Sequence, residues 1–231
     1  MRISIHVLYR LVALAGAGAA VGLVGHFVVW PPPTSYVTST VLEQAARHHD
    51  AMVTGAWLDG IGSTLLIVTV LGVVELSGLA SSLAGRIVLL TGAAVVANSL
   101  LSDSLIIAAA QISAAGGGAI AAGMLQLAHA SDYVYPIVNV FWASALGLIV
   151  LRSRILPPAF GYVAIAFGAV ELVGGLAALY SDAVNAVINP FFLVMVLWCV
   201  IASVVFAARS FGRTSTSSES QLQPGGAIAA S

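Results

Sequence analysis

Six ionisable side chains interrupt otherwise apolar stretches of this sequence: His26, Asp59, Asp103 and Glu171 lie within them, and His129 and Asp132 lie at the mouth of another. An ionisable group at the centre of a membrane helix costs at least about 2.5 kcal/mol, so it faces a cavity, a partner or a pathway. Asp103 and Glu171 carry the functional reading on that ground. No arginine shares their depth, which leaves each other, a histidine, a cation or a proton as partners. Asn98, Ser99, Ser102 and Asp103 form a polar cluster in which Asn98–Ser102 and Ser99–Asp103 are i,i+4 neighbours. Asn139, Asn185 and Asn189 are placed to join it. The default role of such Asn and Ser residues is hydrogen bonding between helices, worth about 0.6–2 kcal/mol each.

Two catalytic chemistries could draw on the same residues. His26, His129 and Asp59, with Asp103 and Glu171, offer nitrogen and oxygen donors for Zn²⁺ or Mn²⁺. They fall on five separate spans, no HxxxH or HExxH spacing occurs, and His48-His49-Asp50 diverge around a helix. Metal binding therefore ranks low and no cofactor is predicted. Ser102 beside Asp103, with His26 or His129, has the composition of a Ser-His-Asp triad, but a triad is defined by geometry and no G-x-S-x-G is present.

The elements that must position these groups follow from composition. The chain has 231 residues, 60% of them apolar and 7% charged. A soluble domain carries about 25% charged residues. Mean hydropathy is +1.04. A cytosolic enzyme, a disordered chain and a basic nucleic-acid binder are excluded; the lipid bilayer is the partner these numbers imply. A single cysteine, Cys199, excludes a disulfide framework.

A membrane helix needs roughly 20 apolar residues, and six segments qualify: 9–30, 52–76, 86–110, 130–151, 157–180 and 187–208. Pro31-Pro32-Pro33 and Pro157-Pro158 mark boundaries, because proline lacks an amide donor and fixes φ. Gly116-Gly117-Gly118 reads as a flexible connector. With the N-terminus cytoplasmic, Arg2, Arg10, Arg86, Arg152, Arg154, Arg209 and Arg213 fall inside and Arg47 alone outside, the positive-inside pattern. Arg2 and Arg10 ahead of Ala15-Gly16-Ala17 also resemble a signal peptide, but the apolar run to Trp30 favours a retained anchor. The fold predicted is all-α: one domain (1–208), a polytopic six-helix membrane bundle with both termini cytoplasmic, followed by a Ser/Thr/Gly-rich tail (209–231) expected to be disordered. Gly16–Gly25 and Gly168–Gly175 read as small-residue helix contacts, and Trp142 and Trp198 as packing residues.

Outside the spans, Thr40-Val41-Leu42-Glu43 reads as a capping box opening a short external helix, on which Glu43 and Arg47 pair at i,i+4. Counting helical rise from the outer ends puts Asp59 and Asp103 about 10 Å deep, Glu171 about 13 Å and His26 about 6 Å. All lie in the outer half, while the inner half holds only Glu75 near its boundary. The expectation is a polar pocket open to the extracytoplasmic side.

Within residues 151–162, Arg152 and Arg154, Leu156-Pro157 and Phe160-Gly161 form a run similar to the cytoplasmic loop of a six-span bacterial membrane-protein family of unknown function. Pro158 departs from that pattern. The resemblance implies the fold and no activity. Arginine without lysine, with abundant Ala, Gly and Val, also suits a GC-rich bacterial genome, hence a bacterial plasma membrane. Three functions suit these features: binding or transport of a small solute, cation or proton; an accessory or scaffolding subunit with a membrane-protein partner or a second copy of itself; and, last, an intramembrane enzyme.

Overall fold

The structure, a computed structural model, describes residues 4–30, 43, 45, 47–178, 180, 181, 184 and 189–212. Among them seven α-helices follow one another: α1 (Ile5–Val29), α2 (His49–Leu76), α3 (Leu83–Ala114), α4 (Gly118–Asp132), α5 (Tyr135–Ser153), α6 (Pro158–Ala178) and α7 (Leu193–Gly212), the last preceded by a 3₁₀ turn at Asn189–Phe192. Among the described residues every regular element is helical. Six helical stretches are long and apolar enough to cross a membrane, the fourth being α4 and α5 taken together (Gly118–Ser153). The chain is a multi-pass membrane protein.

The helices form a ring. α1 packs on α2, α2 on α3, α3 on α5 and α5 on α6, while α7 lies along α1 and meets α6 only briefly. The antiparallel order gathers Arg10, Arg86, Arg152, Arg154 and Arg209 at one end. We call this the arginine end.

The largest departure from expectation lies between α3 and α5. Gly116-Gly117-Gly118 is a built turn and not a loose connector. Gly116 adopts φ +85, the Gly117 amide donates to the Ile112 carbonyl at 2.9 Å and the Gly116 amide to Ser113 at 3.0 Å. This is the 6→1, 5→2 Schellman pattern that closes a helix with glycine in the left-handed region. The chain then doubles back as α4, packed on α3, ahead of the expected span start at 130. α4 has 15 residues. At the α-helical rise its length is about 22 Å, too short to span alone. It ends at Tyr133–Val134 because Pro136 has no amide for the carbonyl four residues back. α3 itself runs for 32 residues, which corresponds to about 48 Å. α7 continues to Gly212, past the expected boundary at 208. Residues 213–231 and Thr40 of the capping box lie outside the described residues. The Glu43–Arg47 pair is present, at 2.6 Å and exposed.

Close packing depends on glycine. A Cβ on Gly22 of α1 would lie 2.7 Å from the Gly62 Cα of α2, and one on Gly175 of α6 would lie 2.2 Å from the Pro136 Cβ of α5. The small-residue stretches are therefore contact faces, as expected. The main apolar core fills the centre with Val70, Val73, Trp142, Leu146, Ile149 and Phe206, among others. Trp142 and Trp198 belong to it, and the Trp198 Nε1 donates to the Phe160 carbonyl at 3.0 Å. Thr64, Thr69, Thr91 and Ser104 donate to carbonyls four residues earlier, so their hydroxyls need no water in an apolar medium. At the arginine end, an Arg209 guanidinium N–H donates to the Ile155 carbonyl, tying α7 to the α5–α6 loop.

Candidate functional site

Two carboxylate sites emerge, on different helix pairs. The first lies between α2 and α3. Their antiparallel register faces Asp59 and Ser63 with Ser99 and Asp103, each pair one helical turn apart. Ser99, fully buried, has its Oγ 3.1 Å from Asp59 Oδ2 and 3.0 Å from Ser63 Oγ. One hydroxyl proton serves one of these contacts, so Ser63 donates to Ser99 when Ser99 donates to the carboxylate. Asp103 is only 6% exposed. It fits because position 60 is glycine: a Cβ there would sit 3.1 Å from Asp103 Oδ2.

Beside this ladder runs a groove of about 420 Å³, lined by Trp57, Ile61 and Leu65 of α2 and by Leu100, Asp103 and Ile107 of α3, among others. Among the described residues Asp103 is the one charged group in that lining. Trp57, Ile61 and Leu100 are exposed, so the groove opens on the outer surface of the ring and not on its interior.

The second site joins α5 and α6. Glu171, 5% exposed, accepts a hydrogen bond from Asn139 Nδ2 at 3.3 Å. Glycines again allow the approach: a Cβ on Gly168, one turn earlier, would lie 3.0 Å from Ser144 Oγ.

The expected single pocket is thus divided. Asp59 and Asp103 come together on α2 and α3, with Ser99 between the helices. Glu171 stands on α6, which packs on α5 and not substantially on α2 or α3 among the described residues. Helical rise counted from Leu83 and Pro158, the starts of α3 and α6, puts Asp103 about 30 Å and Glu171 about 20 Å along their helices. Glu171 is therefore about 10 Å nearer the arginine end. Asn139 partners Glu171 and not the α3 cluster. Asn98 donates from Nδ2 to the Ser131 carbonyl at 3.1 Å, linking α3 to the end of α4. Ser102 is buried next to Asp103. Asn185 lies outside the described residues, and the side chains of Asp132 and Asn189 are not described.

The histidines are occupied in packing. His26 Nδ1 is 3.0 Å from the Gly55 carbonyl oxygen, and its ring meets Trp30 edge-on at 5.8 Å. His129 Nε2 lies 3.3 Å from the Tyr133 hydroxyl. Among the described residues no three His, Cys, Asp or Glu side chains converge as a metal site would require, and His26, His129 and Asp59 make separate contacts. Ser63 and Gly60 are not among the residues that the sequence singles out. Ser63 lies four residues from Asp59, and that spacing is the available signal.

No protein-family model matches the chain, and neither a curated protein nor a solved structure shows significant similarity to it.

Proposed function

We propose that this protein binds a small cationic solute or a proton at the α2–α3 carboxylate site, from the extracytoplasmic side of a bacterial plasma membrane, with the arginine end in the cytoplasm. The observation that carries the proposal is Asp103: a carboxylate 6% exposed that nonetheless lines a groove of about 420 Å³. Charge at membrane depth is costly, and a groove beside it supplies room for a ligand that offsets the cost. The Asp59–Ser99–Ser63 ladder supports Asp103 from the next turn. The arginine distribution supports the orientation, and the similarity of residues 151–162 to a six-span bacterial family supports the compartment.

Infrared difference spectroscopy of the protein in liposomes tests this reading. A carboxyl band should respond to pH or to added methylammonium, vanish in Asp103→Asn and persist in Glu171→Gln. An unchanged band in Asp103→Asn overturns it.

A second reading, a non-catalytic accessory subunit docked to another membrane protein or to a second copy, would make both buried acids purely structural, as the Asn139–Glu171 contact within the chain is. A hydrogen bond between adjacent helices is what structural polar residues make in a membrane. Stable co-purification with a partner, with wild-type infrared behaviour in both acid variants, would favour it.

A further inference from the structure

We infer that the α2–α3 groove takes a single-chain amphiphilic amine, entering sideways from the outer leaflet, with its ammonium on Asp103 and its apolar chain along Ile61, Leu65 and Leu100. This rests on the proposed reading of Asp103 as a cation-binding carboxylate and names the class of cation.

Three observations narrow the ligand. The first is where the groove opens. Trp57 is 62% exposed, Ile61 48% and Leu100 45%, and in a membrane bundle that exposed apolar surface faces lipid. Asp103 lies about 26 Å beyond Arg86 along the α3 axis. In a hydrocarbon core about 30 Å thick this leaves it about 4 Å inside the outer boundary, still in the hydrocarbon but within reach of an amphiphile's polar head. From Asp103 the groove passes Leu100 and Leu65 toward the membrane centre, which is the direction of the tail.

The second is the donor count. A bare metal ion needs several oxygen ligands, but the side chains of the lining offer one carboxylate and two hydroxyls. The hydroxyls, on Thr64 and Ser104, are oriented by donating to the Gly60 and Leu100 carbonyls at 2.8 and 2.6 Å, and even with their lone pairs counted the lining falls short of the roughly six oxygens a hard cation takes. An ammonium carrying an apolar body needs one counter-charge and apolar walls, and the groove supplies both. Trp57 adds an aromatic ring of the kind that attracts cations.

The third is what is missing from the wall. Among the described residues no arginine lines the groove, so a phosphate next to the ammonium would meet only the carboxylate. That disfavours an ordinary phospholipid and selects an amine without a neighbouring anion. The groove, at about 420 Å³, is of a size typical of small-molecule sites, roughly 300–1,000 Å³.

The test uses the full chain in phosphatidylcholine nanodiscs and a dodecylammonium brominated at its third carbon, beside the head group, whose bromine quenches indole fluorescence on contact. The Trp57 contribution is the part abolished by Trp57→Phe. Quenching of that part should saturate in the wild type, and Asp103→Asn should raise the half-quenching concentration roughly tenfold or more, a loss of about 1.4 kcal/mol. Ile61→Phe, which narrows the groove from its lipid face and leaves the helix contact intact, should weaken quenching comparably. This second variant decides the matter if Asp103→Asn fails to fold. The uncharged bromododecanol should quench Trp57 no more than it quenches the other tryptophans. Equal quenching by the alcohol, or an Asp103→Asn curve matching wild type, overturns the inference. If methylammonium shifts the Asp103 infrared band while bromododecylammonium leaves Trp57 unquenched, the cation-binding reading stands and the amphiphile falls. If neither responds and the band is insensitive to pH as well, both fall.

Discussion

The α2–α3 and α5–α6 interfaces solve the same physical problem in opposite ways. Each buries a carboxylate between two helices that approach through glycine, Gly60 in one and Gly168 with Gly175 in the other. At α5–α6 the acid receives one amide N–H and is enclosed by its neighbours. At α2–α3 the acids are bracketed by a serine ladder, and one of them lines an open groove. An enclosed acid hydrogen-bonded across an interface holds two helices in register. An acid on a groove wall has somewhere to receive a ligand. On the proposed reading the difference gives Glu171 a structural role and Asp103 a binding one, although in sequence the two residues look alike.

The comparison can be broken most severely at its glycines. Gly175→Leu drives a side chain into Pro136 and should destabilise the bundle by about 3 kcal/mol or more, seen as an early unfolding midpoint in denaturing-detergent titration. Gly60→Ala should cost clearly less, because its added methyl meets the Asp103 carboxylate and Leu100 at 3.1 and 3.2 Å and these side chains can give. Equal losses would mean that the two interfaces are equally rigid. Next in size, Glu171→Leu should cost about 1–3 kcal/mol by leaving the Asn139 amide unsatisfied, and adding Asn139→Leu should recover much of it. A double mutant as unstable as the single would remove Glu171 from its structural role. Ser99→Ala should cost only about 0.6–1 kcal/mol by the same titration, while weakening methylammonium binding at Asp103. The smallest effect is expected at Arg47→Ala, under about 0.5 kcal/mol, since the Glu43–Arg47 pair is exposed. A larger loss there would show that the segment around Arg47 does more than carry a solvated ion pair.

Much of this architecture is legible in the sequence, and the limits of that legibility are instructive. The spans are readable because a bilayer demands a fixed length of apolar helix, and the Glu43–Arg47 pair because i,i+4 is a local rule. The burial of Asp103 and Glu171 follows from their apolar surroundings. What stays hidden is the register between helices. Nothing local says that Asn139 meets Glu171 and not Asn98, or that Ser99 reaches Asp59, because these pairings depend on how far each helix slides along its neighbour. α4 escapes for a different reason. Read from sequence, the fourth span starts at 130 and the residues between the three glycines and that point stay unassigned, and their helical character becomes evident only once α3 gives them a surface to lie on.

The ring also constrains the order of assembly. α7 is held by α1 along its length, by the Tyr9–Phe206 stack at 5.9 Å and, through the turn just ahead of it, by the Phe27–Phe192 stack at 4.9 Å, while its contact with the preceding α6 is short. A helix synthesised late must therefore find the one synthesised first. Until it arrives, the face of α1 that carries Tyr9, Val12 and Gly16 has no protein against part of it, and the membrane must shelter it in the meantime. The slow step in folding should be this closure, with a rate set by the search of α7 for α1 and not by insertion of any single span.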